Sequence, residues 1–345
     1  MNKKILIFGA GSIGNHMVNA NLKLKNNVSI TDIAPKSLSR MKSSIFPSRY
    51  GKWNNSIKLI NYQNVFNGGD FDLIIIGTPP RTHLKLIKKI YENNIRYKKI
   101  LIEKPLNSYT ENNSFIKKLN KNNIFVGYNH SVSSSISYFI DEIKKEKKFL
   151  KNIFINWKEG FEGILKAHKW LKNEYSSYLG YSRDGGGAIQ EHSHALHLAL
   201  VILKELGILK YKNKFYKQFI NNNPKLYDSL ALIIFSSKKL NLKLDIDLIT
   251  FPAEKNIIAQ CDNKKIVWVH NFKKNHDAVK VISKNGKEKI KLFKKTRSSE
   301  FENEMKYILS PKIKKNYKNS RLNISYGIKV MEIIEKFFND KKNSF

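Results

Sequence analysis

The chain has 345 residues, 41% of them hydrophobic, enough for two ordinary domains each with its own core. Its one cysteine, Cys261, excludes an internal disulfide framework and suits a reducing, cytoplasmic setting. The formal net charge of +35 is spread along the chain among many Asn and Ile residues. No zinc-finger spacing, basic heptad or RNP-like motif accompanies it, so no nucleic-acid partner is expected.

No apolar run approaches the roughly 20 residues that span a bilayer, so no membrane partner is expected. The run Ile5–Phe8 breaks at once into glycines, which does not read as a secretory leader.

The first third alternates short apolar runs with amphipathic stretches, the pattern of a parallel α/β sheet. Lys4–Phe8 reads as a strand, Ile13–Leu24 as a helix, and Asn27–Thr31 and Phe71–Ile76 as further strands. Thr82–Asn93 carries Leu84, Ile87 and Ile90 at helical spacing. Strand Lys99–Ile102, helix Glu111–Lys121 and strand Ile124–Val126 complete a doubly wound domain over residues 1–126.

Beyond Gly127 the pattern changes. Residues 151–157, 230–236, 241–250, 256–260, 265–270 and 278–282 read as strands, several alternating apolar with polar. That is the mark of an antiparallel sheet with one wet face. With helical stretches Ala188–Leu203 and Ile324–Phe338, they predict an α+β domain over residues 127–345. The last helix, about 322–338, is placed either there or back on the first domain.

Gly9-Ala10-Gly11-Ser12-Ile13-Gly14 is a GxGxxG motif between a strand and a helix. Gly9 permits a tight turn, Gly11 lets a pyrophosphate approach the backbone, and Gly14 lets the helix pack on the strand. The N–H groups of the first helical turn, Ser12 and Ile13 among them, attract phosphate. Asp32, at the end of the second strand, would accept the ribose hydroxyls and repel a 2′-phosphate. This favours NAD, with NADP kept open by Lys36 and Arg40.

Three further segments follow successive strands: Gly77-Thr78-Pro79-Pro80-Arg81-Thr82-His83, Glu103-Lys104-Pro105 and Gly127-Tyr128-Asn129. With GxGxxG and Gly185-Gly186-Gly187, they resemble the glucose–fructose oxidoreductase, inositol dehydrogenase and MocA (Gfo/Idh/MocA) family through nearly the whole chain. The resemblance implies a Rossmann domain, an open-sheet second domain, a tightly held nicotinamide cofactor, and a homodimer or homotetramer. It places Thr78, Pro79 and His83 beside the cofactor and Glu103 at the nicotinamide ribose. Lys104 then reaches both cofactor and reacting hydroxyl, where an ammonium stabilises a developing alkoxide.

On the substrate side it places Tyr128, Asn129, Glu191 and His194, and Arg183, just before the glycines, reads as a contact for substrate hydroxyls or phosphate or as an ordinary loop residue. The Glu191-x-x-His194 spacing resembles the branch associated with surface-polysaccharide and nucleotide-sugar metabolism. His194 would act as general base, since imidazole titrates near neutrality, with Glu191 orienting it.

The same resemblance implies an NAD-dependent sugar oxidoreductase. An inositol or free-sugar dehydrogenase and a non-catalytic NAD-binding sensor remain as alternatives. A metal at Glu191, His192, His194 and His197 is not expected, because residues 192 and 194 of one helix diverge by ~200°.

Overall fold

The computed structural model describes residues 2–119, 123–166 and 168–340. They fall into two compact units. Met1–Asn107, Glu111–Asn129 and Arg297–Ile328 make the first; Ser108–Thr110, His130–Thr296 and Lys329–Phe345 make the second.

In the first unit, the apolar runs at Leu73–Ile76, Ile100–Glu103 and Ile124–Gly127 become strands buried on both faces, as the centre of a parallel sheet requires. The strands are β1 (Lys4–Phe8), β2 (Asn27–Thr31), β3 (Lys58–Leu59), β4 (Asp70–Phe71), β5 (Leu73–Ile76), β6 (Arg96–Tyr97), β7 (Ile100–Glu103) and β8 (Ile124–Gly127). Six of them form a sheet in the order β3-β2-β1-β5-β7-β8, all parallel, while β4 and β6 pair separately. The order reverses between β1 and β5, which is where a doubly wound sheet opens a crevice for a ligand.

The strand expected over Phe71–Ile76 is thus two, broken at Asp72, whose carboxylate accepts the Lys4 amide at 2.9 Å. The helix expected over Glu111–Lys121 is the shorter Ser114–Lys118, with Asn120 and Lys121 outside the described residues.

A later segment completes this unit. Helix Arg297–Leu309 packs on helix Ser12–Lys23. Asn19 donates to Ser298 Oγ at 2.7 Å, Lys23 Nζ reaches Glu302 at 2.8 Å, and the His16 ring stacks on Phe301 at 4.7 Å.

The second unit is built on β9 (Leu150–Lys158), β10 (Lys212–Phe219), β11 (Asp228–Ser236), β12 (Asn241–Asp247), β13 (Glu254–Cys261), β14 (Lys264–Lys273), β15 (His276–Ser283) and β16 (Glu288–Lys294). They form one sheet in the order β10-β11-β12-β9-β13-β14-β15-β16, antiparallel except at β12–β9.

Register separates its faces. Phe215, Ile233, Leu244, Ile155, Ile257, Trp268 and Val279 stand side by side across seven strands, all buried. Helices Ser134–Lys145 and Ser193–Glu205 pack on this sheet. One residue along, the ladder reads Lys214, Ile234, Lys243, Phe154, Ile258, Val267, Lys280 and Ile290, mixed in character and mostly part-exposed. Strands β10 and β16, both lysine-rich and at the sheet edges, escape a reading based on apolar alternation.

Among the described residues, no helix is long and apolar enough to cross a membrane. Lys217 of β10 is 6% exposed, and its Nζ donates to the carbonyls of Phe337 (2.8 Å), Phe338 (3.2 Å) and Asp340 (2.6 Å). It thereby caps helix Ile324–Asn339, whose last carbonyls lack helical partners. Lys217→Met should lower the unfolding free energy by about 2 kcal/mol in urea titrations and speed amide exchange in the last turn of that helix.

Candidate active site

The glycine motif closes by backbone proximity. Gly9 has φ +102°, and its amide donates to Thr31 O at 2.8 Å. A Cβ on Gly14 would lie 1.9 Å from Gly9 O, so the helix start sits directly on the turn. A Cβ on Gly11 would meet nothing within 4 Å. That open space lies at the N-cap of the 12-residue helix Ser12–Lys23, where the leading N–H groups of Ser12 and Ile13 face no acidic side chain in the first turn. A diphosphate fits these features: room against backbone, free donors and the positive end of a helix dipole.

Asp32 ties this loop to the next. Its carboxylate accepts the amides of Ala10 and Ala34, both at 2.8 Å. Each oxygen keeps a lone pair for a further donor. Arg49, which no local pattern marks among so many cations, donates to Ser12 Oγ at 3.0 Å and Ser12 O at 3.2 Å. It adds a fixed positive charge to the helix start.

Past β5, Thr78 Oγ1 accepts from Thr82 Oγ1 at 2.7 Å, and Pro79 is exposed. His83 is 0% exposed, with Nε2 2.7 Å from Thr78 O and Nδ1 3.1 Å from Leu106 O. It fastens the loop after β5 to the loop after β7, and burial holds its pKa below the ordinary imidazole value.

Glu103 ends β7 opposite Gly127 of β8. A Cβ on Gly127 would lie 2.6 Å from Glu103 Oε1, so the glycine makes room for the carboxyl. Lys104 follows, partly exposed, before a cis bond to Pro105. Tyr128 and Asn129 are buried, Tyr128 almost completely.

In the second unit, Gly185-Gly186-Gly187 is a mount for the helix that follows. Gly185 and Gly187 have positive φ, and a Cβ on Gly187 would lie 1.9 Å from Asp228 Oδ1. Asp228, fully buried, accepts from Ser182 Oγ at 2.7 Å and from the Ile189 amide at 2.9 Å. Gln190 donates to Ser182 O (2.6 Å) and Gly186 O (2.8 Å). Arg183 is exposed, and its carbonyl accepts from Ser108 Oγ (2.5 Å) and Thr110 Oγ1 (3.0 Å).

The helix expected over Ala188–Leu203 is interrupted. Ala188–Glu191 and Ser193–Glu205 are separate, with His192 between them at φ −96° and ψ 25°. Glu191 and His194 therefore do not share one continuous helical face, and the angular argument about residues 192 and 194 no longer applies. His192 Nε2 lies 3.3 Å from Glu159 O, and His197 is fully buried.

His194 joins an aromatic cluster. Its ring lies near-parallel to Trp157 at 6.0 Å and edge-on to His130 at 4.7 Å, and His130 in turn lies 5.2 Å from His270. His130 and His270 went unread because each is a lone histidine that only folding brings beside Trp157, which is itself buried.

Within the first unit the structure thus gathers Gly9, Gly11, Ser12, Ile13, Gly14 and Asp32 at one loop, and Thr78, Glu103 and Lys104 at the next two strand ends. Glu191, His194 and Arg183 belong to the second unit.

Residues 3–130 match the family model GFO_IDH_MocA, described as an oxidoreductase family with an NAD-binding Rossmann fold. Over those residues the first unit is therefore similar to the NAD-binding Rossmann domain of that oxidoreductase family. No curated protein matches the sequence.

The fold of the whole chain is similar to several solved structures. An inositol dehydrogenase homolog from Azotobacter vinelandii, complexed with NAD+, is 13% identical with a TM-score of 0.72, covering 98% of this chain and 95% of that one. A mutant of a 3-ketoreductase from Actinomadura kijaniata, in complex with TDP-benzene and NADP, is 8% identical with a TM-score of 0.70, covering 100% of both. An aldose-aldose oxidoreductase from Caulobacter crescentus, complexed with glycerol, is 11% identical with a TM-score of 0.71, covering 98% and 97%.

Two outcomes test the site. Asp32→Ser should weaken NAD binding about tenfold and narrow the preference over NADP, read by cofactor fluorescence titration. Burial also raises the Asp228 carboxyl from 3.8 to about 7. The folded state then holds a proton that the unfolded chain has lost, so stability falls as pH rises from about 4 to 7. In Asp228→Asn that decline should be shallower than in the wild type in urea unfolding measured across the same range.

Proposed function

We propose that the whole chain is a Gfo/Idh/MocA oxidoreductase that moves hydride between NAD and a secondary hydroxyl or ketone of a sugar. The observation that carries this reading is the first unit: an open Gly11 cradle, an Asp32 clamp and Glu103-Lys104 at the end of β7 belong to one Rossmann sheet. The bound nicotinamide supplies or accepts the hydride.

The chain's own residues do the rest. Ser12, Ile13 and the Arg49-braced helix start hold the diphosphate, and Asp32 takes the adenosine ribose hydroxyls. Thr78, with Pro79 beside it, lines the nicotinamide side, and Glu103 holds its ribose. Lys104 stabilises negative charge on the substrate oxygen, and His194 takes or returns the hydroxyl proton with Glu191 orienting the sugar. Tyr128, Asn129 and Arg183 complete the substrate shell.

The preferred substrate is a nucleotide sugar or related surface-glycan precursor, which the net charge of +35 supports because it draws in a diphosphate. The neighbour solved with TDP-benzene agrees with that class. The neighbour related to inositol dehydrogenase favours a free polyol as the second reading.

We also assign the protein to the cytoplasm. Its assembly is a homodimer or homotetramer, formed through the part-exposed Phe154, Leu232, Ile234 and Ile258 face of the second sheet.

Absorbance of reduced nicotinamide, followed while NAD and a nucleotide-sugar panel are offered, should rise with one sugar. Lys104→Ala should lower turnover ~10³-fold and His194→Ala ~10²-fold with NAD binding retained. A rise only with free polyols selects the second reading. Silence across both panels despite NAD binding points to a non-catalytic sensor.

A further inference from the structure

Strand β14 loses its register with β15 at one place. Val269 stands opposite Ala278 and Lys273 opposite His276, so His270, Asn271 and Phe272 all face the single residue Asp277. A bulge of this kind takes backbone groups out of the ladder and re-aims a side chain. Asn271 has φ +49°, in the left-handed region that residues other than glycine seldom occupy. Its amide donates to Asp277 Oδ1 at 3.0 Å, so a side chain supplies the acceptor that the interrupted ladder does not.

Asp277 is buried, and its contacts go well beyond the bulge. Oδ2 accepts from Ser135 Oγ at 2.9 Å, and Ser135 Oγ in turn accepts from Trp268 Nε1 at 3.0 Å. Lys295 Nζ lies 2.9 Å from Asp277 Oδ1 and 2.7 Å from His270 Nδ1. Removing the carboxylate would leave a backbone amide, a hydroxyl and an ammonium each short of an acceptor. His270 is thus held twice, by the bulge that starts with it and by the ammonium on its ring.

The hold reaches His194 through ring contacts. His270 lies 5.2 Å from His130 with the planes at 77°, and His130 lies 4.7 Å from His194 with the planes at 87°. Trp157, itself buried, borders all three rings, at 6.3 Å from His270, 5.2 Å from His130 and 6.0 Å from His194. A buried ring packed on several sides keeps one orientation and passes a displacement to its neighbour.

We propose that Asp277 is a positioning residue for His194: it holds the bulge that fixes His270, and His270 fixes His130 against the His194 ring. That His194 takes the hydroxyl proton rests on the hydride-transfer reading; the packing that orients it does not. No sequence motif contains Asp277 or His270, and a three-against-one bulge has no signature in apolar alternation.

The primary test needs neither sugar nor turnover. In the full-length protein carrying carbon-13 at histidine Cε1, the His194 signal is assigned by its loss in His194→Gln. In Asp277→Ala the signals of His270, His130 and His194 should move together, while those of His83 and His168 stay in place. Asp277→Asn, which keeps an acceptor for the Asn271 amide, should restore most of the wild-type positions. A His194 signal unmoved in Asp277→Ala overturns the proposal. Should that variant fail to fold, His270→Leu takes its place, with the same movement of His130 and His194 expected and the same result overturning it.

A second readout uses the sugar that raises reduced-nicotinamide absorbance with the wild type. Asp277→Ala should lower kcat about tenfold while KM for NAD and for that sugar changes by less than about threefold, and Asp277→Asn should recover most of the loss. Equal losses in two variants that both fold count against positioning. A wild type silent with every sugar counts against the hydride-transfer reading alone, and the ring spectra then decide this proposal.

Discussion

The first unit depends on a contact that two missing side chains allow. Gly14 rests against the carbonyl of Gly9 so closely that a single added carbon would lie 1.9 Å away. This approach sets helix Ser12–Lys23 directly over the end of β1, at the place where the sheet order reverses. The consequences run outward from there. The helix start faces open space at Gly11, and Asp32 and Arg49 brace the same turn from two sides. Helix Arg297–Leu309 packs on that first helix, so the later segment is seated on the same element. Fold and chemistry here share one steric cause.

The second unit uses a different device, buried polar groups as fixed mounts. Asp228 holds the start of the helix at Ala188, and Lys217 gathers the carbonyls at the end of the helix at Asn339. Asp277 does the same between strands: it accepts from Ser135 Oγ at 2.9 Å and the Asn271 amide at 3.0 Å, and it pairs with Lys295 at 2.9 Å. Each is expensive to bury and fully engaged, which is how an irregular segment between regular elements acquires one conformation rather than several. The histidine and tryptophan cluster around His194 sits within this framework.

The parallel half of the fold is legible where its strands are short apolar runs, as in β1, β5, β7 and β8, and the GxGxxG spacing needs only local reading; the two-residue, exposed β3 carries no such run. The antiparallel core strands β9 and β11–β15 are legible from alternation. Strands β10 and β16 are not, since Lys212–Phe219 and Glu288–Lys294 carry lysine at most polar positions and lie at the edges. The break at His192 is equally hidden: Ala188–Leu203 reads as one apolar helix, and only the anchoring of Ile189 and Gln190 by distant residues shows where it starts and stops. Site residues divide the same way. Gly9, Asp32, Glu103 and Lys104 announce themselves by position in a motif. Arg49, Asp228 and His130 acquire meaning only from partners far away in the chain.

The His83 clamp has a consequence of its own. A neutral imidazole has one N–H, yet carbonyl oxygens face both of its nitrogens, Thr78 O at 2.7 Å and Leu106 O at 3.1 Å. One of the two loops is held by a true hydrogen bond, and the other meets lone pair against lone pair. Moving the proton from one nitrogen to the other would transfer the bond from one loop to the other with scarcely any motion of heavy atoms. How firmly His83 fastens the loop after β5 to the loop after β7 therefore depends on which nitrogen of the buried ring carries the proton.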